Sequence, residues 1–171
     1  MTMNAPTLQT ARLVLRPHDW SDFPAYLAVM QSARARFMGG PMSLKQAWFC
    51  FASDVAQWPL KGCGALAVTL RDGGELVGQV ALNDIPHFPE RELGWMALEG
   101  HEGRGYLTEA ALALRDHAAR VLGWETLVSY ISAGNARSVA LAERLGARRD
   151  DAAPRLDPTD LVYRHPMGGA A

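Results

Sequence analysis

The sequence predicts one mixed α/β domain: a single sheet with helices on both of its faces. Three observations predict it. Stretches of alternating or continuous apolar residues interchange with stretches whose apolar residues recur at helical spacing. Two apolar runs in the middle are joined by Asp72-Gly73-Gly74, which is hairpin chemistry. Later a strand, a glycine turn, a helix and another strand follow in sequence, and such a crossover implies parallel neighbours.

The elements follow in order. Leu8 to Arg16 alternates near its end and stops at Pro17, so it reads as one strand, suited to a sheet edge. Asp19 can cap the next helix, whose stripe is Phe23, Tyr26, Leu27 and Met30. Arg34 to Met42, with Gly39-Gly40-Pro41, reads as a loop. Ser43 and Gln46 form a capping box before a helix with Leu44, Ala47, Trp48, Phe51, Ala52 and Val55 on one face, ended by Pro59. Ala65–Leu70 and Glu75–Leu82 are the hairpin strands. A loop with Pro86 and Pro89 leads to the strand Glu92–Leu98. The next helix inserts Leu107, Ala111, Leu114, Ala118 and Val121, and Gly123 stops it. Thr126–Ile131 is a strand, and Asn135 caps a last helix with Leu141, Ala142 and Leu145 inward. Leu161-Val162-Tyr163 closes the count at six to seven strands. The expected organisation is a tail over 1–7, one domain over 8–167 and a tail over 168–171.

Composition narrows the function. A chain of 171 residues is long enough to bury a core without disulfide or metal support. Seventeen basic against eighteen acidic residues leave no basic excess, so nucleic acid is not an expected partner. No apolar run is long enough to span a membrane, and Met1 to Thr7 has no signal-peptide pattern. The expectation is a cytoplasmic protein without a membrane partner. Cys50 and Cys63 read as small buried or loop residues, and the five histidines show no ligand spacing, so no metal is expected.

The segment Glu99-Gly100-His101-Glu102-Gly103-Arg104-Gly105-Tyr106-Leu107-Thr108 joins a strand to a helix through closely spaced glycines. Such a turn either serves chain reversal alone or presents backbone N–H groups and a helix N-terminus to an anion. No Gly-Lys-Ser/Thr follows, which excludes a Walker A loop. Thr108 stands where a dinucleotide fingerprint wants its third glycine, and Tyr130-Ile131-Ser132 offers no acidic residue for a ribose.

Glu92-Leu93-Gly94-Trp95-Met96-Ala97-Leu98, the glycine turn, Asn135-Ala136-Arg137-Ser138 and Ala142-Glu143-Arg144-Leu145-Gly146-Ala147 together resemble the GNAT acetyltransferase superfamily. The similarity runs from Thr10 to Arg164, and its best match is the branch of ribosomal-protein N-terminal acetyltransferases. It implies a mixed, splayed sheet with acetyl-CoA entering between two parallel strands. In the family pattern (Gln or Arg, two residues, Gly, one residue, Gly or Ala) this chain has Glu102, Gly105 and Leu107. Gly105 matches, whereas Glu102 and Leu107 depart. An anionic Glu102 beside a phosphate is unfavourable unless it points away.

The resemblance implies that the backbone of Gly103, Arg104, Gly105, Tyr106, Leu107 and Thr108 grips the CoA pyrophosphate, and that Met96, Ala97 and Leu98 pair with the pantetheine arm. Arg104 and Arg137 are candidates for the CoA phosphates, and Asn135 for the arm as well as for the helix cap. Ser138 matches the family serine that protonates the CoA thiolate; its alternative is a helix serine bonded to its own backbone or to water. Glu92 is the leading general base, acting through water, with Asp84 as rival and His87 as a minor candidate. Trp48, Phe51 and Trp124 are expected in the core, and Trp20 and Trp58 at the rim of an acceptor cleft that Phe37 also lines.

The implied activity is direct acetyl transfer, in a ternary complex, to a primary amine of a protein N-terminus or small molecule. A non-catalytic CoA-binding sensor or assembly module is the alternative. Relatives commonly dimerise, so a homodimer is a further expectation.

Overall fold

The computed structural model describes residues 4–168. In chain order it comprises β1 (Leu8–Gln9), β2 (Leu13–Arg16), α1 (Phe23–Met30), α2 (Leu44–Lys61), β3 (Ala65–Leu70), β4 (Leu76–Asn83), β5 (Glu92–Ala97), α3 (Tyr106–Arg120), β6 (Val128–Ile131), α4 (Ala136–Arg144), β7 (Arg148–Arg149) and β8 (Leu161–Arg164). Short 3-10 turns cover Trp20–Asp22 and Ala33–Phe37. The strands form one sheet in the order β1-β2-β3-β4-β5-β6-β8-β7. Every neighbouring pair is antiparallel except β5 and β6.

Two apolar clusters sandwich the sheet. Leu107, Ala110, Ala111, Leu114 and Ala118 of α3 pack with Leu13, Leu15, Val68, Val77, Val80 and Leu93. Phe23, Tyr26, Val29 and Met30 of α1 and Ala47 and Phe51 of α2 pack with Met96. Leu93 and Met96 are three apart on one strand, so the pleat sends them to opposite faces. Glu92, Gly94 and Met96 thus share the α1/α2 face.

The mixed α/β expectation holds, with two differences in strand count. The strand expected over Leu8 to Arg16 is two strands. Thr10 and Leu13 exchange short-range bonds (Thr10 N–H to Leu13 O, 3.0 Å; Leu13 N–H to Thr10 Oγ1, 3.0 Å) that reverse the chain and fold β1 back on β2. The two-residue β7 is too short to leave a periodic signal.

Pro59 does not end α2. The helix runs on to Lys61, and Gly62 stops it at φ 72° with its N–H on Trp58 O. Trp58 is 3% exposed and donates its indole N–H to Ala65 O at 2.8 Å, which fastens the last turn to β3 despite the proline. Trp58 is therefore core, not cleft rim. Trp48, expected in the core, is 43% exposed, and its ring packs edge-on to Trp20, itself exposed, and to Phe23 of α1. Val121, expected on the inward face of α3, is instead its C-cap and is exposed. The loop expected from Arg34 begins as 3-10 helix. Of the expected tails, residues 1–3 and 169–171 lie outside the described residues; Ala5 and Met167 pack against the main core.

Candidate active site

The parallel pair at the centre of the sheet barely pairs. Its one register match is Glu92 with Val128, reinforced by Val128 N–H to Arg91 O (3.0 Å) and the Ser129 hydroxyl to Leu93 O (2.5 Å). Beyond Leu93 the two strands diverge. Leu98 N–H donates to Val77 O (2.9 Å), and Met96 O lies so close to Gly78 that a Cβ there would stand 2.5 Å away. By the alternation of an antiparallel ladder, Met96 and Leu98 spend their backbone groups on β4, and those of Trp95 and Ala97 face the split.

One end of the split meets the glycine turn. Gly103 and Gly105 sit at φ 73° and 76°, a backbone region that L side chains avoid. Gly105 is also the N-cap of α3 and leaves its first amides without a side-chain cap. The turn is held from behind by Arg12, which bonds Glu109 (2.7 Å) and Arg104 O (2.9 Å) and lies over the Tyr106 ring. The Arg104 side chain is exposed.

Both departures from the family pattern have local explanations. Leu107 is 7% exposed and points into the core, where its Cδ2 comes close to Gly78; the missing Cβ there makes the room. Glu102 forms an ion pair with Arg34, from the 3-10 turn between α1 and α2, and accepts Gly100 N–H at 2.9 Å. Burial works to raise the Glu102 carboxyl, but its own backbone N–H, Arg34 and Gly100 N–H together hold it below its ordinary range.

At the other end, Asn83 Nδ2 donates to Glu92 Oε2 at 2.6 Å. Gln57 fixes Asn83, donating to its Oδ1 at 3.0 Å, and accepts Asp84 N–H. The Glu92 carboxyl reaches back over Gly94: a Cβ there would lie 3.3 Å from Oε2. Burial pushes the Glu92 pKa up to about 7; the Asn83 bond opposes this and the charge of Asp54 adds to it. Asp54 of α2 accepts Gln79 Nε2 at 2.9 Å and is itself raised, to about 6, by burial. In register, Ala81 faces Gly94 between the pairs Gln79–Met96 and Asn83–Glu92. The small residues Ala81 and Gly94 thus stand between Gln79, which holds Asp54, and the Asn83–Glu92 pair. Asp84 instead pairs with Lys61 (3.3 Å) and Arg91 (3.6 Å), and His87 is exposed.

From the far side of the split, Asn135 caps α4 by accepting Ser138 N–H at 3.3 Å. Ser138 Oγ in turn accepts the Trp95 indole N–H at 3.3 Å, linking β5 to α4. Arg137 is exposed. Among the described residues no group of three or more His, Cys, Asp or Glu side chains is placed to hold a metal ion.

Sequence reasoning missed Arg34, Asp54, Gln79 and Asn83. Asp54 left a trace: it falls three residues after Phe51 on the buried face of α2, where an acid is out of place. Arg34 left none.

The family described as "Acetyltransferase (GNAT) domain" matches residues 12–148. An acetyltransferase from Agrobacterium tumefaciens str. C58 is 52% identical, with 96% of each chain covered and a TM-score of 0.92. A protein from Vibrio cholerae, assigned as a ribosomal-protein-serine acetyltransferase, is 26% identical over 97% of this chain and 100% of that one, with a TM-score of 0.74. The Bacillus subtilis protein YkkB, uncharacterized, is 32% identical over 75 residues; the match spans 43% of this chain and 44% of that protein's length.

Proposed function

From the premise that this chain belongs to the GNAT acetyltransferase family, we propose that it transfers the acetyl group of acetyl-CoA to the α-amine of a protein or peptide N-terminus. One observation carries the acceptor. Glu92, held over Gly94 at the narrow end of the split, is poised near pH 7. A carboxyl in this range is partly ionised at neutral pH and can take a proton, and an α-ammonium (pKa ~7.7–8.0) gives one up more readily than a lysine ammonium (~10.4), which favours the α-amine. The similarity to the Vibrio cholerae protein, with its ribosomal-protein assignment, supports a protein N-terminus and the cytoplasm as the place of action. A small-molecule α-amine meets the same chemical requirement.

The residues present fit the donor. Uncapped amides at the start of α3, with Gly103 leaving the approach open, suit a pyrophosphate. Gly103, Arg104, Gly105, Tyr106, Leu107 and Thr108 would hold it by their backbone. On β5, Ala97 and Trp95 supply the split-facing groups for the arm; Met96 and Leu98 shape the strand. Asn135 and Arg137 flank the far side. The bound thioester supplies an activated acetyl group.

Glu92 removes a proton from the acceptor ammonium through water, and the freed nitrogen attacks the thioester carbonyl in a ternary complex. When the tetrahedral adduct collapses, the nitrogen gives up its second proton to water, the carbon–sulfur bond breaks, and Ser138 gives its hydroxyl proton to the leaving sulfur, regaining one from solvent. The indole of Trp95 can only donate, so Ser138 Oγ accepts from it and its own proton is directed elsewhere. Positioning two reactants in a near-attack geometry can supply ~7–11 kcal/mol of a barrier reduction.

The test is thermal unfolding with and without acetyl-CoA, then thiol release over a panel of N-terminal peptides and amines. Ligand at 100 times its dissociation constant stabilises by about 2.7 kcal/mol. Stabilisation plus thiol release on peptides with free α-amines supports the reading. No stabilisation at millimolar acetyl-CoA, or release on lysine side chains alone, overturns it.

A further inference from the structure

The 3-10 turn Ala33–Phe37 crosses the mouth of the split. Arg34 reaches the β5 side, donating from Nη2 to Ala97 O at 3.2 Å and pairing with Glu102. Phe37 reaches the β6 side, where its carbonyl accepts the Ser132 hydroxyl at 3.3 Å. Arg34 therefore sits on a split-facing carbonyl of β5 and beside the glycine turn at once. Its Nε is buried and has no hydrogen-bond partner among the described residues, so the guanidinium is an incompletely satisfied cation. Glu102 stands where the family pattern carries Gln or Arg, and it holds this cation from a different part of the chain.

We propose that Arg34 is a pyrophosphate-binding residue that Glu102 tethers beside the glycine turn, and that it gives up Ala97 O when the arm of acetyl-CoA enters the split. This rests on the acetyl-CoA reading above. A guanidinium presents five N–H donors in a planar fork that matches phosphate oxygens, so Arg34 keeps Glu102 on one edge while offering another to the ligand. The carboxylate that would repel a phosphate is neutralised by the residue that attracts it. Releasing Ala97 O exchanges one hydrogen bond for another, since the arm carries amide N–H groups.

The experiment titrates two probes by protein-observed NMR: acetyl-CoA, and S-acetylpantetheine, which lacks the pyrophosphate. Arg34→Ala weakens acetyl-CoA by about tenfold or more and leaves S-acetylpantetheine within about twofold. Arg34→Lys recovers part of the loss. Glu102→Gln, which removes the tether but not the cation, weakens acetyl-CoA less than Arg34→Ala does. Unchanged acetyl-CoA binding by folded Arg34→Ala overturns the inference and spares the acetyl-CoA reading. Equal weakening of both probes overturns it too, because Arg34 then acts only by shaping the turn. Absence of acetyl-CoA binding by the unaltered protein overturns the reading itself, and the inference with it.

Discussion

The indole of Trp95 donates to the hydroxyl of Ser138 across the split, 3.3 Å from nitrogen to oxygen, and thereby joins β5 to α4. A donor-only partner keeps the serine proton from facing the indole. Ser138→Ala is expected to lower kcat about tenfold to a hundredfold with the acetyl-CoA dissociation constant within about twofold. Trp95→Phe keeps an aromatic ring, though a smaller one, and frees the hydroxyl, and is expected to lower kcat by a smaller factor. Steady-state kinetics with calorimetric affinities check both; unchanged turnover of Ser138→Ala removes the assigned role.

Glu92 should govern the acid side of the rate profile. Its carboxyl must be ionised to take a proton, so kcat/KM should rise through about pH 7. Glu92→Gln is expected to cut the rate about a hundredfold at neutral pH and to recover as pH approaches the acceptor's own pKa, ~7.7–8.0. Asp54→Asn removes a neighbouring negative charge and should move the limb to lower pH. A profile in Glu92→Gln parallel to that of the unaltered enzyme would exclude Glu92 as the base.

The same carboxyl makes stability depend on pH. Its folded pKa, about 7, lies above the ordinary 4.5, so the folded state binds the extra proton between those values. Stability from this group is complete below pH 4.5 and is lost as pH rises toward and through 7. His165, lowered to about 4 by burial, works in the opposite sense between pH 4 and 6.5. The difference between two proteins isolates Glu92: relative to the unaltered chain, Glu92→Gln should gain melting temperature on going from pH 5 to pH 8. A difference independent of pH would contradict the burial argument.

Gly78 is where β4 passes under Leu107 and against β5. A methyl group there would lie 2.5 Å from Met96 O and 3.0 Å from the leucine. Gly78→Ala is expected to cost ~1–3 kcal/mol in denaturant unfolding and to weaken acetyl-CoA binding by displacing β5. Pairing it with Leu107→Ala should relieve the side-chain contact but not the backbone one. Full rescue by the pair would show that the carbonyl is free to move.

Local signals carried most of the fold. The Ser43 box with Gln46 marks the start of α2 to the residue, and the Asp72-Gly73-Gly74 turn separates β3 from β4 as expected. Misreadings occurred where tertiary contacts overrode local preference: Pro59 stays helical because Trp58 is bolted to β3, and Thr10 bends a strand that its neighbours alone would keep straight. The candidate site divides the same way. Glu92, Ser138, Asn135 and the turn are contiguous motifs with characteristic spacing. Arg34 lies 68 positions from Glu102 and has no local pattern, since only the closure of the 3-10 turn over the sheet makes them neighbours. Asn83 and Gln79 are polar residues in an apolar strand, and their partners on α2 and β5 become visible only once the strands are in register.

The nearly unzipped β5–β6 junction makes the sheet two plates, β1 to β5 on one side and β6, β8 and β7 on the other. Few bonds set the tilt between them: the pairing at Val128, the Ser129 hydroxyl and the few side chains that span the gap. A molecule lodged along the gap acts as a splint, restoring crosswise links that the chain itself omits. Amide exchange should then slow on both plates at once when acetyl-CoA is present, including at β6 positions the ligand does not touch, and the plates should vibrate as one body only while it stays.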